Sequence, residues 1–228
     1  MIDVALIEIE GVLFETAELR RSTLSEALHA HGMDAVIDPD LVDGWTSRAA
    51  AAAALAGTSF EHDDVLMDLI ALSAERAFAA RVAMSGVGVN AGARAFVEHA
   101  AAHGRIGVVT RMSRADAATL LRLADLDQFV TTIVSRDDVF DAKPSPEGYR
   151  VALSRLRRQR GDEPLKVIAL EDGTPGIRAA HAAGLRCVAA GAVPPHVAME
   201  ADGYVAALDG QTLRSLELLS VPGRERVQ

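Results

Sequence analysis

Five apolar runs of strand length recur along the chain, Val4 to Ile9, Arg105 to Val109, Thr131 to Val134, Lys166 to Leu170 and Arg186 to Ala189. They are continuous rather than alternating, as strands covered on both faces must be. Between the later runs lie stretches with helical spacing, Ala91 to His103, Ser113 to Ala124, Pro146 to Arg157 and Pro175 to Ala183. Gly104 and Gly184 stand where the first and last of these helices would stop. Strands alternating with helices predict a parallel sheet built of right-handed crossovers, the α/β class with a Rossmann-like, doubly wound core.

The alternation breaks between Thr16 and Ser85, where the pattern is helical throughout, in Ala17 to His31, Ser47 to Ala56 and His62 to Val82. Residues 16–85 are therefore expected to form a small helical cap domain inserted into a core made of residues 1–15 and 86–228. Gly86-Val87-Gly88-Val89-Asn90 reads as the return hinge. The alanine run from Ala49 to Ala54 suits a helix, since alanine is the best helix former and Gly57 closes the run. At 228 residues, one core domain with a smaller insertion fits the length.

Charge and cysteine content exclude several function classes. The net charge of −9 repels a duplex or an anionic membrane, so neither nucleic acid nor membrane is an expected partner. Cys187 is the single cysteine, which rules out an intrachain disulfide or a multi-thiolate metal site and suits a reducing compartment. No basic stretch followed by an apolar run opens the chain at Met1-Ile2-Asp3-Val4, and a cytoplasmic location is expected. Arg155-Leu156-Arg157-Arg158-Gln159-Arg160 reads as a solvated helix end. Only two of the 23 basic residues are lysines, Lys143 and Lys166, which singles each of them out.

In an open parallel sheet, ligands bind beyond the carboxyl ends of the strands. The residues there are polar: Glu8-Ile9-Glu10-Gly11 after the first run, Thr110-Arg111 after the second, Asp141-Ala142-Lys143-Pro144 in a later loop and Glu171-Asp172-Gly173 after the fourth. In an extended chain Glu8 and Glu10 would share one face. Carboxylates gathered in a cleft need neutralising, and a hard divalent cation, Mg²⁺ above all, takes such oxygen ligands together with phosphate oxygens. Thr110, Arg111 and Lys143 could then hold the remaining phosphate oxygens.

Four ordered segments resemble the haloacid dehalogenase superfamily of phosphatases and phosphotransferases, in particular its β-phosphoglucomutase-like subgroup. They are Glu8-Ile9-Glu10-Gly11-Val12-Leu13, Val108-Val109-Thr110, Lys143-Pro144-Ser145-Pro146-Glu147 and Glu171-Asp172-Gly173-Thr174-Pro175-Gly176-Ile177. Thr16-Ala17-Glu18 and Gly44-Trp45-Thr46-Ser47-Arg48 are similar to the cap of that subgroup. The resemblance implies a Mg²⁺-dependent hydrolase of small phosphorylated metabolites, in which the first motif is Asp-x-Asp-Gly. Its first Asp is the nucleophile and its second the general acid and base. By resemblance, Glu8 takes the nucleophile and a metal-ligand position. Glu10 takes the acid/base position, with its carbonyl towards the metal, Asp172 is a further ligand, and Glu171 supports the metal directly or through water. Thr110 and Lys143 match the residues that bind the transferred phosphoryl group, and Arg48 a cap arginine that reaches towards the substrate.

The chain departs from that pattern where it matters most. Glu replaces Asp at both positions of the first motif, and each extra methylene can carry a carboxylate up to about 1.5 Å further. A misplacement of about 1 Å can cost roughly 10²-fold in rate. Arg111 stands where relatives carry a small or amide residue, and Arg20 where the mutase-like subgroup has histidine. Two readings stay open: a hydrolase that accommodates the longer carboxylates, or a pseudo-enzyme that binds a metal, a phosphorylated ligand or a protein partner.

Overall fold

The structure, a computed structural model, describes residues 2–34, 37, 46–158, 165–209, 212 and 216. Gly44, Trp45 and the end of the arginine-rich run at Gln159 and Arg160 lie outside the described residues. The chain divides into two compact units, Met1–Phe14 with Val89–Gln228, and Glu15–Gly88.

The first unit is built on a parallel sheet of six strands, β1 (Val4–Ile7), β2 (Arg105–Val109), β3 (Val130–Val134), β4 (Val167–Glu171), β5 (Arg186–Ala190) and β6 (Gly203–Val205). Their order is β3-β2-β1-β4-β5-β6, which places the turning point of the chain's winding at β1, between β2 and β4. This is the Rossmann-like α/β architecture that the alternation of runs predicts. The edge strand β6 was not anticipated, because three residues are too few to carry a periodic signal; pairing with β5 makes it a strand.

Side-chain parity along the central strands decides what faces the site. Val4 and Leu6 of β1 and Ala169 of β4 belong to one buried cluster, together with Tyr149, Ala152 and Leu156 of one helix and Ile177 and Ala180 of another. Those helices span Glu147–Arg158 and Thr174–Ala182. Extending the two rows by a period of two brings Glu8 and Glu171 out on the same side of the sheet. The register of β1 on β4 pairs Leu6 with Ala169 and Ile7 with Leu170, so the two glutamates leave the sheet side by side.

Helices Ala93–His103 and Arg114–Leu123 belong to the same unit, the second capped by Ser113, whose side chain accepts from the Asp116 N–H. The unit also holds Asn90, whose Nδ2 donates to the carbonyls of Gly11 and Val12 at 2.8 and 3.0 Å and so ties the returning chain to the loop after β1.

Among the described residues, the second unit holds helices Ala17–Ala30, Ser47–Leu55 and Asp64–Ser85. Leu24, Leu28, Ala51, Leu55, Met67 and Ile70 form its core. The alanine run is helical, capped by Thr46, and buries Ala50 and Ala51. Arg20 lies with its guanidinium carbon 3.5 Å from the centre of the Phe78 ring, a cation–π contact within this unit. Among the described residues no helix is long and apolar enough to cross a membrane.

Candidate active site

The strand β1 stops at Ile7, two residues short of the apolar run. The Glu8 N–H still donates to Leu170 O at 3.0 Å, but the chain then turns: Leu13 N returns to Ile9 O at 2.9 Å, and Gly11 takes a left-handed conformation with φ 71°. Glycine suits Gly11 for a second reason, since a Cβ there would lie 2.2 Å from Asp172 Oδ2. The expectation that strand alternation places Glu8 and Glu10 on one face therefore does not apply. Glu10 sits in the turn, where it forms an isolated bridge with Phe14.

Glu8 is buried, 1% exposed, and both of its carboxylate oxygens are engaged. Oε1 accepts from the Ile9 N–H at 2.7 Å and, more distantly, from the Glu10 N–H at 3.4 Å. Oε2 accepts from Lys143 Nζ at 2.7 Å. Lys143 Nζ donates in addition to Val109 O at 2.8 Å and to Glu171 Oε1 at 2.5 Å. An ammonium has three protons, and here three acceptors receive them. Tyr149 donates its hydroxyl to the same Glu171 oxygen, and Lys143 Nζ lies 5.6 Å from the centre of the Tyr149 ring. Burial alone would depress the Lys143 pKa, but the Glu171 and Glu8 charges outweigh it and hold the ammonium protonated above its ordinary range.

The backbone around Lys143 is held by residues to which sequence reasoning assigned no role. Glu147 Oε2 accepts from the N–H groups of Phe140 and Asp141 at 3.0 and 2.9 Å, fixing the loop that leads to the lysine. Further back, Asp138 accepts from Ser135 N and Oγ and from the guanidinium groups of Arg114 and Arg155, all between 2.6 and 2.8 Å. Burial opposes ionisation of Asp138, yet Arg155, Ser135 and Arg114 together hold its carboxyl well below the usual carboxylate range. Tyr149 carries the one local signal that could have been read: a tyrosine at the start of an amphipathic helix, six positions after the singled-out lysine. Only the packing reveals that its ring is inside.

Thr110 follows β2 and is nearly buried, with Oγ1 accepting from Met112 N at 3.3 Å. The next residue, Arg111, has its Nη1 buried without a hydrogen-bond partner. Asp172 rests against Gly11. Burial, reinforced by the Glu8 charge and opposed by that of Arg111, pushes the Asp172 carboxyl well above its ordinary range. Of the residues singled out by sequence, Glu8, Lys143 and Glu171 are thus joined directly, while the charges of Glu8, Arg111, Glu171 and Lys143 all act on Asp172. Arg48 belongs to the helical unit, where Nε donates to Asp68 Oδ1 at 2.7 Å and Nη2 to Asp64.

Glu8, Glu171 and Asp172 supply hard oxygen donors of the kind that suits Mg²⁺. Among the described residues, however, no three His, Cys, Asp or Glu side chains are grouped as metal ligands. The chemistry fits the ion. The present rotamers, with Glu8 turned towards Ile9 and Lys143, do not gather the ligands.

A parallel sheet whose charged residues collect at the carboxyl ends of its two middle strands defines an α/β protein with a polar site at the topological switch point. Residues 47–190 match the haloacid dehalogenase-like hydrolase family, and the chain belongs to it. It is 30% identical over 197 residues to the protein CbbY of Cereibacter sphaeroides, covering 82% of this chain and 84% of that protein. It is equally 30% identical to the validoxylamine A 7'-phosphate phosphatase of Streptomyces hygroscopicus subsp. limoneus, over 82% of this chain and 85% of that one. Among solved structures, CbbY from Rhodobacter sphaeroides in complex with xylulose-(1,5)bisphosphate superposes with a TM-score of 0.74 at 27% identity, over 92% of this chain and 96% of that one. A β-phosphoglucomutase from Clostridium difficile gives a TM-score of 0.79 at 16% identity, over 96% and 97% of the two chains, a likeness of fold.

Proposed function

We propose that the chain is a Mg²⁺-dependent phosphatase of small phosphorylated metabolites, with its site between β1, β2 and β4. One observation carries the reading. A buried ammonium, Lys143, joins the acid that follows β1 to the one that ends β4 and donates to the carbonyl of Val109, the residue before Thr110 at the end of β2. The two curated relatives of similar length, one of them a phosphatase of a phosphorylated small molecule by name, support it.

In this reading a phosphoryl group lies between Thr110, Lys143 and Arg111, and the buried Nη1 of Arg111 supplies a donor with no competing partner in the protein. Glu8 stands at the nucleophile position and Glu10 at the acid/base position. Lys143 lowers the cost of charge on Glu8 and Glu171 and orients both; Tyr149 keeps Glu171 turned towards the lysine. Mg²⁺ would be held by Glu8 and Asp172, with Glu171 and the Glu10 carbonyl in support, and would neutralise the charge of the transferring phosphoryl group.

The test is phosphate release from a panel of phosphorylated metabolites with and without Mg²⁺. Turnover by wild type that is lost in Glu8→Gln is the expected result; undiminished turnover in Glu8→Gln removes Glu8 from the nucleophile position. A second reading, a protein that binds such ligands without turning them over, is favoured by the engagement of both Glu8 oxygens. It predicts thermal stabilisation by ligand with no phosphate released.

A further inference from the structure

Two successive backbone N–H groups and an ammonium aimed at one place form a cradle for an oxyanion. Here those donors are the N–H groups of Ile9 and Glu10 and the Nζ of Lys143, and the anion that they hold is the carboxylate of Glu8. We propose that Glu8 is the protein's own occupant of this cradle, a built-in competitor that a phosphoryl ligand must displace before it can bind. The proposal rests on the reading of the site as a phosphoryl site and adds how access to it is controlled.

Three observations support it. The Ile9 N–H is committed to Glu8 Oε1 at 2.7 Å, so an incoming oxygen finds that donor taken. Lys143 has spent all three protons, on Glu8, Glu171 and Val109 O, and none points into free space. The one buried side-chain donor without a partner among the described residues is instead Arg111 Nη1, next to Thr110 at the end of the adjacent strand. Side-chain length makes the occupancy possible. An aspartate on the same backbone ends one carbon, about 1.5 Å, earlier, short of an ammonium already pinned by Val109 and Glu171.

The test is a titration of the full-length protein with inorganic phosphate, read by calorimetry and by the amide NMR signals of Ile9 and Glu10, for wild type, Glu8→Asp and Glu8→Gln. Glu8→Asp keeps the charge but shortens the reach; Glu8→Gln keeps the reach but removes the charge. Occupancy predicts that Glu8→Asp binds phosphate at least about tenfold more tightly than wild type, the worth of one freed charge-assisted hydrogen bond. The Ile9 and Glu10 signals then move on titration in both proteins, in Glu8→Asp at about tenfold lower phosphate concentration. A gain in Glu8→Gln as large as that in Glu8→Asp overturns the proposal, because charge repulsion rather than occupancy would then control binding. So does a Glu8→Asp protein that binds no better than wild type. Should Glu8→Asp fail to fold, the wild-type signals decide: phosphate binding that shifts the Ile9 and Glu10 amides in step with saturation upholds displacement of Glu8, and binding that leaves both in place refutes it. None of these readouts needs turnover, so an absent phosphatase activity would refute the proposed function while leaving this inference standing.

Discussion

Two sets of residues beyond the end of β1, the two flanks of the site, carry similar groups in opposite states. On one, Lys143 satisfies Glu8, Glu171 and a backbone carbonyl at once, and Tyr149 closes the set. On the other, Asp172 is held towards its neutral form, and Arg111 keeps a buried nitrogen without a partner. A network in which every donor meets an acceptor specifies a single arrangement, whereas an unmatched donor invites a ligand. The first flank is the scaffold of the site and the second its open end.

Removing the keystone of the matched flank should have the largest effect. Lys143→Met leaves Glu8 and Glu171 buried against one another, and a loss of about 3–5 kcal/mol is expected in denaturant unfolding, in line with other broken buried ion pairs. A loss below about 1 kcal/mol would mean that the network is not cooperative. Gly176→Ala probes the same flank sterically, since a Cβ there would lie 1.9 Å from Glu171 Oε2. Overpacking of this kind costs about 1–3 kcal/mol, and the Glu171 carboxylate must move away from Lys143 to relieve it.

Asp138 tests how far the scaffold extends. Losing its bonds to Arg114, Arg155 and Ser135 in Asp138→Asn should cost about 1–3 kcal/mol at neutral pH. Because its folded pKa lies below the unfolded value of about 3.9, this contribution is complete above the unfolded pKa and fades as the pH falls towards the folded one. The stability gap between wild type and Asp138→Asn should therefore narrow steadily as the pH falls below about 5. A gap that persists there would assign the effect to packing.

The open flank should respond to ligands rather than to denaturant. Arg111→Ala is expected to change stability by less than about 0.5 kcal/mol and to weaken phosphate binding about tenfold; the reverse pattern would make Arg111 part of the scaffold. Smallest of all is the dependence of Mg²⁺ binding on pH. A cation that takes up Asp172 must displace the proton that the raised pKa retains, so the increase in melting temperature with Mg²⁺ should grow as the pH rises. An increase that is constant with pH would take Asp172 out of the ligand set.

Much of this was legible without coordinates. Continuous apolar runs at Val4, Arg105 and Arg186 identified strands because burial on both faces leaves a compositional mark wherever the strand stands in the sheet. The polar residues at the run ends singled out Glu8, Thr110, Glu171 and Asp172, and the scarcity of lysine singled out Lys143. Where the reading of the site failed, it failed locally: Glu8 and Glu10 were paired by extrapolating β1 two residues too far, through a turn that Gly11 makes with a left-handed backbone. Tyr149 and Asp138 went unseen, and Glu147, which ends the quoted Lys143 segment, had no role assigned to it, since a residue that supports another bears no pattern of its own until its partner is known.

The local pattern of the chain was enough to determine an α/β core, an α-helical stretch between its first two strands, and the strand ends at which charge collects. The tertiary structure alone decided which of those charges meet. Lys143 lies 135 residues from Glu8 and 28 from Glu171 in sequence, and the three converge because β1 and β4 pair in one register with parity that turns both glutamates to the same side. A shift of one residue in that register would send one carboxylate to the opposite face and leave the ammonium half-paired. Electrostatic partnership depends on distances of a few ångströms, which are properties of the packed sheet and not of any segment within it.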